Sequence, residues 1–195
     1  MTDRSESKFV PKPRRPSYLV LALIALWFLA AQTVLEGLLV VRIVDNPLVG
    51  DTIDWGPELR DAFVRGIAEN ARYSFPLGVA QLLLGGLLVV LSVGAFFRAP
   101  VPVHLLLQSI AAYGGLVVLE YNLNAPVRAA MLQALVQGQD LVAAGAQPLT
   151  ASQVQSGFQL SLWFHISVLA LSAVAVVRPE SRAALEPHKP ARKGQ

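Results

Sequence analysis

Four polar side chains with useful chemistry stand inside stretches that are otherwise apolar: Gln32, Glu36, Gln81 and His165. Gln32 and Glu36 are one helical turn apart. A carboxylate beside an imidazole, away from bulk water, is able to hold a proton or relay it. Imidazole exchanges protons near neutral pH, and a carboxylate charge in hydrocarbon demands a partner. Glu36, Gln81 and His165 each lie six to eight residues inside their apolar runs, a depth on the order of 10 Å at the helical rise. If the polar stripes face inward, the three side chains meet. A second stripe, His104 and Gln108 followed by Ala111 and Gly115, repeats at helical spacing in a third run. Both sets also fit plain packing, since membrane helices associate through small residues and through Ser, Gln and His hydrogen bonds.

Other chemistries lack their residues. One histidine with one carboxylate is half a metal site, and no HExxH spacing occurs. His104 and His165 fall at opposite depths, so they do not ligate one haem iron. His188 sits in a basic tail and is expected to be solvated. There is no phosphate-binding glycine loop and no GxSxG nucleophile turn. Without cysteine, disulfides, thiolate metal sites and thiol catalysis are excluded. No cofactor and no metal is expected.

The elements that must position these groups are four apolar runs, 18–44, 75–97, 103–121 and 157–177. Each is close to or above the roughly 20 residues that cross a bilayer as a helix. The chain is 54% hydrophobic and 15% charged, against about 25% charged in a soluble domain. A soluble bundle with apolar core helices would have shorter runs. The expected fold is therefore an all-α integral membrane protein. Its core is a four-transmembrane-helix bundle (18–177), with two short extracytoplasmic amphipathic helices in the excursions 45–74 and 122–156.

A pI of about 9.5 invites a nucleic-acid reading, which the placement of charge removes. The two tails and the Arg98 turn hold 11 basic and 4 acidic residues, a net of +7. The rest of the chain holds 5 basic and 9 acidic residues, a net of −4. Basic segments stay in the cytoplasm. The expected location is the cell (inner or plasma) membrane, multi-pass, with both termini cytoplasmic. Residues 1–17 and 178–195 are polar, basic and expected to be disordered. A cleaved signal peptide fits poorly, because apolar character continues past Ala30–Ala31 to Val44 and Phe28 or Leu29 would occupy a small-residue position. Arg14–Arg15 is followed by Pro-Ser-Tyr rather than a twin-arginine motif, leaving a signal anchor.

In the first excursion, Asp45-Asn46-Pro47 is turn chemistry. Gly56-Pro57 opens a helix on which Leu59, Phe63 and Ile67 recur every four residues. That helix either lies on the membrane surface or caps the bundle. In the second excursion, a helix begins near Pro126, after Asn124, and weakens at Gly138, followed by a loop over 143–148. Thr150 to Gln153 reads as a capping box for the fourth helix. Gly78, Gln81, Gly85 and Ser92 share one face of the second run, and Ser161, His165, Ser172 and Ala175 share one of the fourth. Trp55, Tyr73 and Tyr121 fit an interfacial aromatic belt. The two halves, each a span, an excursion and a returning span, have weakly similar outlines.

Two function classes follow. The first is a non-enzymatic accessory, assembly or sensory subunit, whose partners are the lipid bilayer and other membrane subunits or a homo-oligomer, with no nucleic acid. The second is a small proton-linked transporter or carrier using Glu36, His165 and Gln81. An intramembrane enzyme ranks third, because no nucleophile or metal set accompanies the lone acid and base groups. The cysteine signature of tetraspanins is absent, and the excursions are too long for compact four-span multidrug exporters.

Overall fold

The computed structural model describes residues 15–53, 57–97, 99–138 and 151–185. Every regular element among them is helical: α1 Ser17–Asp45, a 3-10 turn Pro47–Thr52, α2 Pro57–Glu69, α3 Ala71–Phe96, α4 Val103–Leu123, α5 Ala125–Gly138, α6 Ala151–Val177 and α7 Pro179–Leu185. The helices α1, α3, α4 and α6 are long and apolar enough to cross a membrane. Expectations for residues 1–14, Trp55, Gly56, Arg98, the 143–148 loop, Thr150, and 186–195 with His188 lie outside the described residues.

The tightest contact joins α1 to α3. Gly37 and Gly78 face each other so closely that a Cβ on Gly37 would stand 2.7 Å from the Gly78 carbonyl oxygen and 2.8 Å from Gln81 Cβ. Two turns along, a Cβ on Gly85 would meet Val34 Cγ2 at 2.9 Å and the Ala30 carbonyl at 3.1 Å. Small residues at this spacing let two helix backbones approach and gain dispersion contacts along their length. The stripe of Gly78, Gln81, Gly85 and Ser92 is buried as a set, in agreement with its spacing.

The helix α4 turns the other way from its polar stripe. Its buried face is Leu106, Ser109, Ile110, Tyr113 and Leu116, a run at spacings of three and four. His104, Gln108, Ala111 and Gly115 are exposed, and nothing lies within 4 Å of a Cβ built on Gly115. Bulky leucine, isoleucine and tyrosine side chains fill the space beside α3 and α6 better than the small and polar ones. On α6, Ser172 and Ala175 are buried, His165 is half-buried and Ser161 is exposed. The similar outlines of the two halves do not extend to packing, for the glycine-mediated contact of α1 with α3 has no counterpart between α4 and α6.

Large apolar side chains cover the outside of the bundle, among them Leu83 at 69% exposure, Leu160 at 71% and Trp163 at 63%. A bundle stable in water buries such groups, whereas hydrocarbon solvates them.

The excursion helices close one end. Asn70 alone separates α2 from α3, and its side-chain amide donates to the Gly66 carbonyl at 2.9 Å. Asn46 Oδ1 accepts from the Leu48 amide at 3.1 Å, completing the expected turn. The helices α2 and α5 cross where a Cβ on Gly66 would lie 3.1 Å from Val127 Cα. Ile43, Ile67 and Val127 form a small apolar cluster there. The face of α2 is thus centred on Ala62, Gly66 and Ile67, with Phe63 half-buried, and it packs on α5 and the end of α1. At the opposite end, the start of the C-terminal tail is helical. Pro179 starts the short helix α7, a position its fixed φ favours, and Leu185 at its end joins the main core.

The α1–α3 contact yields a direct test. Gly37→Ala must force the two backbones apart and is expected to destabilise the bundle by about 1–3 kcal/mol, the usual cost of overpacking. Gly86→Ala, where a Cβ meets nothing within 4 Å, is expected to stay within about 0.5 kcal/mol of the parent. Unfolding of each variant in mixed micelles by denaturing detergent, read by circular dichroism, measures both.

Candidate functional site

The α1–α3 pair leaves a cavity of about 310 Å³ on its flank, between α1, α4 and α6 and beneath α2 and α5. Gln32, Glu36 and His165 all line it, so three of the four grouped polar side chains meet in one space. Gln32 Nε2 donates to Glu36 Oε1 at 2.8 Å. Glu36 lies nine residues before the end of α1 at Asp45, about 14 Å along the helix axis.

The fourth, Gln81, takes a different position. It is 2% exposed and is not among the residues that line the cavity. Its Oε1 has no hydrogen-bond partner. Glu120, on the last turn of α4, lines the cavity with Tyr121 and with Arg128 of α5. The two carboxylates, Glu36 and Glu120, are close enough to act on one another, and Arg128 acts on Glu120. The Arg128 guanidinium is fixed by stacking 3.8 Å over the Tyr121 ring, a cation–π contact. Tyr121 therefore belongs to the cavity wall, while Tyr73 is exposed.

Below the carboxylates the lining is neutral. The Thr33 hydroxyl donates to the Leu29 carbonyl at 2.9 Å, and it also bonds the Tyr113 hydroxyl. A threonine has one proton to give, so Tyr113 is the donor to Thr33. Both residues are buried. Across the cavity, His165 Nδ1 lies 2.7 Å from the Ser161 carbonyl oxygen. A carbonyl only accepts, which puts a ring proton on Nδ1. Phe63, Met131 and Phe158 supply apolar wall.

The lining carries one arginine, two carboxyl groups and one imidazole, in a space at the small end of ligand pockets, which span about 300–1,000 Å³. No three His, Cys, Asp or Glu side chains among the described residues converge as a metal group does. His104 and Gln108 take no part in it.

Glu120, Tyr113, Thr33 and Arg128 are not among the residues singled out from the sequence. Glu120 falls seven residues after Tyr113 and four after Leu116 on the same face. Two carboxylates embedded in apolar runs were the available signal.

No protein-family model, curated protein or solved structure matches the chain.

The hydroxyl pair gives a test of local geometry. Thr33→Val strands the buried Tyr113 donor and is expected to cost about 1–3 kcal/mol. Tyr113→Phe leaves Thr33 bonded to Leu29 and is expected to cost less. In the Tyr113→Phe background, Thr33→Val should cost clearly less than it does alone, a coupling read from a double-mutant cycle of detergent unfolding.

Proposed function

We propose that the protein is a small proton-linked carrier of the cell membrane, and that the cavity exchanges a proton for a small organic cation. The four long helices cross the bilayer, and the basic termini lie in the cytoplasm by the positive-inside rule. The cavity then opens near the outer surface beneath α2 and α5, the helices of the two excursions; of these α2 is amphipathic and α5 is apolar. The observation that carries this reading is that Glu36, Glu120 and His165 line one space with a single arginine. Ionisable groups within membrane spans are costly and mark ion or proton pathways. Two carboxyl groups against one arginine give cation and proton a common site, so that binding of one displaces the other, the minimum requirement for coupled exchange. The aromatic wall of Phe63 and Phe158 suits an organic cation better than a hydrated metal ion.

The carrier reading is tested in lipid vesicles holding a pH-sensitive dye, with tetraethylammonium added outside as the probe cation. The wild-type protein is expected to move protons in response to the cation. Glu36→Gln and Glu120→Gln are each expected to slow that flux by about tenfold or more, the scale of one lost charge-assisted contact. Wild-type flux no faster than that of protein-free vesicles overturns the reading.

One observation favours the accessory-subunit reading as a second possibility. His104 and Gln108 face outward on α4, and polar groups turned toward lipid gain from a partner helix. Under that reading, purification in mild detergent retains a second polypeptide at fixed stoichiometry, measured by mass spectrometry of the intact complex. A chain that emerges alone removes it.

A further inference from the structure

A second concavity lies at the other end of the bundle, on the seam between α1 and α6, far along both helices from the acidic cavity. Its volume is about 370 Å³. The floor is made of small residues, Ala22, Ala25, Ser172 and Ala175. The walls are long apolar side chains that stand outward, Leu21 at 67% exposure and Leu171 at 70%. Small residues usually draw two helices together. Here they leave a furrow that no side chain of the described residues fills.

The mouth of the furrow is polar and rigid. Tyr18 and Arg178 stand there, with the guanidinium carbon 4.8 Å from the centre of the Tyr18 ring. The Tyr18 hydroxyl donates to Glu180 Oε2 at 3.0 Å and receives the Ser181 hydroxyl at 3.4 Å. Glu180, the one acidic neighbour on this turn, is thereby engaged by the tyrosine. Among the described residues no carboxylate forms an ion pair with Arg178. Its ring contact occupies one face of the guanidinium and leaves the planar N–H fork at the edge, which is the part that grips phosphate oxygens in pairs. Arg182, exposed one helical turn on, adds positive charge to the same end.

We propose that this furrow is a binding site for one anionic phospholipid, with its phosphate on Arg178 and one acyl chain along the Ala22–Ala25–Ala175 floor. The two halves of the site match the two halves of such a lipid in the order a bilayer imposes, apolar groove inward and cation at the head-group level. Basic pockets between membrane helices on the cytoplasmic side bind anionic head groups on this principle. The proposal rests on the helices lying in a bilayer and is independent of the carrier reading. It assigns a role to Tyr18 as a positioning residue that holds the arginine over the mouth.

The test is lipid retention, with no transport readout. The full chain is exchanged into micelles of neutral detergent containing phosphatidylglycerol and phosphatidylcholine with identical acyl chains at equal mole fraction. Intact-protein mass spectrometry then counts bound lipids. The wild type is expected to keep one phosphatidylglycerol, preferred over phosphatidylcholine by about fivefold or more, the scale of one well-placed arginine. Arg178→Gln should abolish the preference and Arg178→Lys should keep part of it. Ala25→Leu should lose both lipids while retaining wild-type helicity. The proposal is overturned if the wild type keeps no lipid or keeps the two equally. It also fails if Arg178→Gln retains phosphatidylglycerol like the wild type, or if inorganic phosphate alone displaces the lipid, which would make the site a phosphate site with no acyl contribution.

Discussion

The glycine contact between α1 and α3 fixes the closest helix pair in this molecule. Gly37 against Gly78, and Gly85 against Ala30 and Val34, hold two helices at a distance that larger residues forbid. A pair joined so closely behaves as one thick element, and α4 and α6 must pack on its flank with side chains of ordinary size. One concavity lies between α1, α4 and α6 beneath the excursion helices. A second lies over the alanines of α1 and α6. The acidic cavity and the furrow at the other end both border α1, one member of that tight pair.

Polar groups then occupy the positions where they can be satisfied. Gln81 shows the constraint most plainly. Its Cβ lies against Gly37, which locks it into the α1–α3 seam. The Tyr113–Thr33–Leu29 chain bonds α4 to α1 below the cavity. Positioning of this kind, by side chains whose own rotamers are fixed by packing, is what a binding site requires. On the reading proposed above, one of the two carboxyl groups has no arginine to match it and takes the proton or the cation.

Much of the architecture was legible from period and length alone. Four runs long enough to span a bilayer, two excursions with helices and the Gly78–Gln81–Gly85–Ser92 stripe all appear in the structure. The grouping of Glu36, Gln32 and His165 was legible too, because a carboxylate and an imidazole inside apolar runs are conspicuous. The face of α4 was not. A polar stripe and a bulky apolar stripe coexist on that helix, and periodicity does not say which turns inward. Volume decides, and Leu106, Ile110 and Tyr113 fill the interior where His104 and Gln108 would leave gaps. Missing that rotation hid Glu120. The helical start of the C-terminal tail was hidden for a different reason, since Leu185 and Ser181 are isolated buried residues in a segment whose composition is otherwise that of a solvated tail.

The central claim is spatial: Glu36 and His165 face one cavity, and Gln108 faces away from it. The natural absence of cysteine makes that claim open to cross-linking in an unmodified background. The measurement is intramolecular cross-linking of Glu36→Cys/His165→Cys by a short bifunctional thiol reagent in native membranes, with Glu36→Cys/Gln108→Cys as the comparison pair. The account predicts efficient cross-linking of the first pair and none of the second. Cross-linking of the second pair in preference to the first would contradict it.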